Sequence, residues 1–111
     1  MISHVVLFRP RATLAATERA ALIDALRAAV SGIPSIKRAT IGTRFLLNRP
    51  GYETLMTEHF EYAAILEFDS EADLRSYLDH PAHVGLGQLL FTTADAVLAY
   101  DFASTSLADL K

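Results

Sequence analysis

The stretch 77–87, YLDHPAHVGLG, gathers the side chains best suited to proton chemistry. It holds two of the chain's four histidines, His80 and His83, with Pro81 between them and Tyr77 upstream. A neutral imidazole accepts a proton near pH 7, because its ordinary pKa is about 6.5. Deprotonating a carbon beside a carbonyl needs such a base, together with a donor that holds the developing enolate oxygen. His83 is the candidate base and the Tyr77 hydroxyl the candidate donor. The two are six residues apart, so one continuous helix does not bring them to one face, but a turn at Pro81 can. The same residues also have a structural reading. Tyr77 is then an aromatic at the core edge, His83 a buried polar group bonded to backbone, and His80 a cation at a helix C-terminus. As a metal pair, His80 and His83 lack a third ligand. Gly85 and Gly87 lack the lysine of a phosphate loop and the full dinucleotide pattern, so they read as close-packing or bend positions. No metal and no cofactor are expected.

The elements that must position these groups are legible from periodicity. Residues 2–8, ISHVVLF, read as a strand with Ile2, His4, Val6 and Phe8 on one face and Ser3, Val5 and Leu7 on the other. His4, sharing a face with Ile2, Val6 and Phe8, therefore reads as a core group. A helix follows, capped by Thr13 or Thr17, with Leu22, Leu26 and Val30 as its apolar stripe and Gly32 and Pro34 as its stop. Residues 36–47 read as a second strand, with a bulge or bend expected at Gly42. A long loop, 48–59, turns at Arg49-Pro50-Gly51 and carries His59. Arg44 and Arg49 read as solvated charges, the alternative being attraction of an anionic substrate. Residues 60–68 form a third strand, and Ser70 opens a helix that Pro81 ends. Residues 81–94 continue as irregular or helical chain, 95–102 form the last strand, and the tail is loosely held. The order strand, helix, strand, strand, helix, strand predicts a ferredoxin-like α+β fold, with an antiparallel sheet and both helices on one face. The other face retains apolar side chains, which predicts a homodimer that pairs two sheets into an α/β barrel.

Composition narrows the function classes. The chain has 111 residues, 51% of them hydrophobic, which suits one domain with one core. It has no cysteine, so neither a disulfide framework nor thiolate chemistry is available. The formal net charge of −3 and the scattered basic residues argue against a nucleic-acid surface. No apolar run approaches a membrane span. The opening MISHVVLFRPR lacks the order of a signal peptide, and cytoplasmic residence is the expectation.

Four segments carry a resemblance: HVVLFRPR, IPSI, AILEFDSEADLRSYLDHPAH and LAYDF. Together they resemble the stress-responsive α/β-barrel (Dabb) domain family over nearly the whole chain. The resemblance implies a ferredoxin-like fold dimerising into a barrel. Function within the family is diverse. Around residues 77–87 the chain is similar to a polyketide-cyclising member, which implies Tyr77 and His83 as the catalytic pair. It also implies His4, Phe8 and Tyr62 as substrate-binding residues, with Tyr62 standing where the cyclase has a further histidine. The expected activity is cofactor-free acid/base chemistry on a carbonyl compound, aromatic or polyketide-like. The alternatives are a non-catalytic stress-response or assembly protein and, by fold analogy alone, a cofactor-free monooxygenase-like enzyme.

Overall fold

Strand β1 (Ile2–Pro10) is built from alternating apolar residues and occupies an interior position of the sheet. The computed structural model describes residues 1–111. The chain continues through α1 (Ala16–Gly32), β2 (Arg38–Thr43), β3 (Tyr62–Phe68), α2 (Glu71–Asp79), α3 (Pro81–Thr93) and β4 (Ala94–Ala103). Short 3-10 turns occupy Glu53–Leu55 and Leu107–Asp109. The sheet order is β2-β3-β1-β4, with every neighbouring pair antiparallel. This is the ferredoxin-like α+β arrangement, with a third helix where irregular or helical chain was expected.

Register decides which side chains are buried. Cross-strand partners in an antiparallel pair project to the same face. Ile2, His4, Val6 and Phe8 pair with Phe68, Leu66, Ala64 and Tyr62, and this face meets the helices. Phe68, Leu66, Phe8 and His4 are all buried there. Leu22 and Ala29 of α1, Leu74 and Tyr77 of α2 and Leu86 of α3 close the core. The opposite face carries Val5, Leu7, Ile65, Leu98, Tyr100 and Phe102, and no helix covers it. The chain is accordingly a slab, 40 × 40 × 18 Å. Its radius of gyration of 15.5 Å exceeds the roughly 13 Å typical of this length. No helix is long and apolar enough to cross a membrane.

Several local expectations are corrected. Neither Thr13 nor Thr17 caps α1: the helix starts after Ala15, and the Glu18 carboxylate accepts the Ala15 N–H at 3.3 Å. Gly42 introduces no bulge, because it pairs with Ala63 in unbroken register; the register shift lies between Arg9 and Pro10. Pro10 lacks the N–H that a regular ladder needs, which accounts for the break there. β2 stops at Thr43 rather than residue 47. The last bond of the hairpin runs from Arg44 N–H to the Glu61 carbonyl, 2.8 Å, and beyond it the chain leaves the sheet. The excursion 44–61 passes through left-handed residues at Asn48 (φ 58°) and Gly51 (φ 77°). Arg9 holds its far end, donating to Glu58 and to the His59 carbonyl while also binding Asp95. Ser70 does cap α2, accepting the Asp73 N–H at 3.2 Å.

Phe68→Ala should cost about 3–5 kcal/mol, because the ring is fully buried and packs against Tyr77. Ser70→Ala removes one exposed cap and should cost only about 1 kcal/mol. Urea denaturation of both variants checks the order; equal losses would mean that the core does not centre on Phe68.

Candidate active site

His4 enters the site from the sheet. It is paired with Asp101 across β1 and β4, so both side chains lie on the helix-facing side. The His4 Nδ1 stands 2.6 Å from Asp101 Oδ1. A carboxylate only accepts, so His4 donates from Nδ1 and its Nε2 is left facing away from Asp101. Asp101 is half exposed while His4 is 6% exposed, so the pair runs from the core edge to solvent.

Tyr77 and His83 come from the corner between α2 and α3. The last carbonyls of α2 have no partner within the helix. The Tyr77 carbonyl takes the His80 N–H at 3.2 Å, and the Leu78 carbonyl takes the His83 imidazole at 3.0 Å. His80 is at once the last residue of this turn and the N-cap of α3. Its Nδ1 accepts the Ala82 N–H at 3.1 Å, a role open only to an unprotonated nitrogen. His80 thus serves as the cap of α3 as well as the close of α2. Pro81 occupies the first turn of α3, where its missing N–H costs nothing. The corner swings His83 back over the face from which Tyr77 projects: the two rings lie 4.6 Å apart, centroid to centroid. On its other side Tyr77 meets His4 edge-on at 5.7 Å.

The Leu78 bond settles the chemistry available to His83. A carbonyl accepts, so the proton sits on Nδ1 and the lone pair of the neutral ring is on Nε2. Burial pushes the His83 pKa below its usual value; the Leu78 carbonyl opposes this, and nearby His4 adds to the lowering. Burial pushes the Tyr77 hydroxyl up to about 12, so it stays protonated and able to donate. Neither the Tyr77 hydroxyl nor the Nε2 of either imidazole bonds to another protein group. The one sealed, unpartnered side-chain polar atom in the chain is Ser35 Oγ, so these three atoms retain accessible surface. Their cavity is small, about 40 Å³, and its remaining wall is apolar, including Phe8, Leu26, Leu66 and Leu86.

The sequence-predicted residues divide cleanly. His4, Phe8, Tyr77 and His83 share this cavity. Tyr62 does not: it lies one ring further along the sheet, stacked on Phe8 at 5.1 Å, with its hydroxyl held by Arg19 at 2.8 Å. His59 is exposed on the excursion and receives a hydrogen bond from Arg44 at 2.8 Å. No cluster of three or more metal-ligating side chains is present. The largest hollow, about 640 Å³, lies elsewhere, on the uncovered sheet face beneath Leu55, Met56 and Phe60. Asp101 and Arg19 were missed in the sequence. Asp101 was findable, since a ferredoxin-like order sets β4 beside β1 and an acid on the inner face of β4 must seek a polar neighbour.

Comparison with known proteins follows the fold closely. A dimeric ferredoxin-like protein of unknown function from Thermobifida fusca is 26% identical, with a TM-score of 0.71 over 93% of this chain and 90% of its own. The hydroxynitrile lyase of Passiflora edulis is similar in fold, at 16% identity and a TM-score of 0.74 over 91% of this chain and 90% of its own. So is SnoaB, a cofactor-independent oxygenase from Streptomyces nogalater, at 16% identity and a TM-score of 0.66 over 97% of each chain. No curated protein sequence matches. The family model for the stress responsive A/B barrel domain matches residues 2–104, and the chain belongs to that Dabb family.

Proposed function

We propose that the chain is an enzyme performing cofactor-free proton transfer on a carbonyl compound. His83 Nε2 removes a proton from the carbon next to the carbonyl, and the Tyr77 hydroxyl donates to the oxygen as negative charge grows there. The proton taken by Nε2 is returned to carbon or to a leaving oxygen at the end of the cycle. The observation that carries this reading is the bond from His83 Nδ1 to the Leu78 carbonyl. It leaves the basic nitrogen free on a residue that lines the same cavity as Tyr77. The similarity of residues 77–87 to olivetolic acid cyclase supports an aldol-type ring closure as the form of this chemistry. The hydroxynitrile lyase and the oxygenase support the capacity of the fold to host catalysis without choosing among reactions.

The working unit in this proposal is a homodimer. Leu98, Tyr100 and Phe102 are substantially exposed on the uncovered face, beside Val5, Leu7 and Ile65. A contiguous apolar surface of this kind is rare on a monomer. The dimeric Thermobifida relative supports the same assembly. A stable interface should bury more than about 1,000 Å². Sedimentation at micromolar concentration should therefore show dimer, and a clean monomer would remove this part of the proposal.

Exchange of α-protons for deuterium in simple ketones, followed by NMR, tests the chemistry. His83→Ala should slow exchange by about 10²–10⁴-fold, and Tyr77→Phe by less. His83→Ala should also lose about 1–3 kcal/mol of stability, because the Leu78 carbonyl loses its donor. His83→Gln supplies an amide donor and should recover stability but not rate. Recovery of both would make the residue structural only.

The pH profile gives an independent check. The active form has neutral His83, and its pKa lies below the ordinary 6.5. The rate should therefore rise with pH through a midpoint below 6.5 and then stay level through neutrality. A midpoint above 7 would assign the base to another group.

A further inference from the structure

The uncovered sheet face is not uniform. The excursion 44–61 roofs its β2–β3 half, and the space beneath is the hollow of about 640 Å³. Thr40, Gly42, Ala63 and Ile65 form the floor of this socket, and Leu55, Met56 and Phe60 its roof. It ends at Leu7 of β1, and no residue of β4 borders it. The β4 half is bare, and Leu98, Tyr100 and Phe102 stand out from it as a ridge. The excursion itself carries six exposed large apolar side chains: Phe45, Leu46, Leu47, Tyr52, Leu55 and Met56. Phe45 is 80% and Leu55 78% exposed. Yet the base of the excursion is fixed. The Arg44 N–H bonds the Glu61 carbonyl, and Arg9 donates to Glu58 and to the His59 carbonyl. A segment held at its base and apolar beyond it has no burial to find in its own chain. The chain's own tail does not supply it. Ser104 leaves the sheet beside Met1, about 20 Å along β1 from Leu7, and Ser106 then caps a 3-10 turn.

We infer that the excursion is a clasp for a second copy of the chain: the Tyr100–Phe102 ridge of each protomer enters the socket of the other, beneath Leu55 and Met56. The inference deepens the homodimer reading and rests on it. A two-fold interface must be complementary to itself. Ridge against ridge would leave both sockets empty and forfeit the contacts of their walls, whereas ridge into socket fills both. Tyr100 suits the lining. Thr40, Thr43 and Thr57 offer hydroxyls beside the apolar walls, and a buried tyrosine needs a partner for its own. The area is sufficient. The six excursion side chains and the three of β4 each expose on the order of 100 Å², or roughly 900 Å² per copy. A stable complex buries about 800 Å² per partner.

Because the chain has no cysteine, the pairing can be read by disulfide trapping. Leu55→Cys and Tyr100→Cys chains, tagged differently, are co-expressed and oxidised. A disulfide should join the two different chains, and neither variant alone should link to itself. Met56→Cys in place of Leu55→Cys repeats the measurement from the neighbouring position. Leu55→Asp alters a side chain that is exposed in the single chain, so folding should be unchanged by circular dichroism. Its dimer should be weaker by at least about 100-fold in sedimentation, since two-fold symmetry makes each change count twice. A Leu55→Asp dimer as tight as the wild type, or Tyr100→Cys chains that link to each other, would overturn the clasp and leave the dimer standing. A disulfide within one chain carrying Leu55→Cys and Leu107→Cys would give the socket to the chain's own tail and overturn it as well. Wild-type monomer at micromolar concentration would instead remove the homodimer reading on which the clasp rests.

Discussion

The register of β1 between β3 and β4 is the constraint on which the rest of the molecule depends. Strand side chains alternate faces, so a slip of one residue would exchange His4 and Phe8 for Val5 and Leu7. That slip would part His4 from both Tyr77 and the Asp101 carboxylate. It would also remove Phe8 from the wall of the cavity. The register is held by burial rather than by hydrogen bonds alone, since the ladder would be satisfied equally well one step along. Leu66 and Phe68, both essentially inaccessible, anchor the inner face of β3 against it.

Within that frame, the α2–α3 corner solves two problems with one side chain. A helix end leaves carbonyls without donors, and a buried imidazole needs a partner. The Leu78–His83 bond satisfies both. The same bond selects the tautomer, so the residue proposed as the base is also one on which the fold relies. This explains why the structural and catalytic readings of HPAH are compatible. His80 caps, Pro81 starts the helix, and His83 closes the previous helix while leaving its second nitrogen free.

The fold was legible in the sequence because its signals are redundant. The Leu22–Leu26–Val30 stripe, the alternation along 2–8 and the Ser70 cap each point to the same topology. The site was legible in part. His4, Phe8, Tyr77 and His83 line one cavity, brought together by inner-face parity and the turn at Pro81, which are local properties. Tyr62 also has inner-face parity, yet it sits behind Phe8, and stacking order along a sheet cannot be read from parity. Gly42 misled for a related reason: glycine permits a bulge without requiring one, and here it pairs regularly with Ala63. The role of His80 turned on which nitrogen faces the Ala82 N–H, a matter of geometry that residue type does not fix. The extent of β2 depended on its partner. Phe45, Leu46 and Leu47 have strand-like composition, but the hairpin bonding ends at Arg44.

Asp101 carries a second consequence through its place in the sheet. β4 is ten residues long, lies at the sheet edge and has one side of its backbone unpaired. With Leu98, Tyr100 and Phe102 on it, such an edge is a template for uncontrolled strand addition. A charge on the inner face opposes this, because a strand added there would have to bury it or meet it. An inward-facing charge is one of the devices that blunt an exposed edge, and Asp101 stands in that position as well as beside His4.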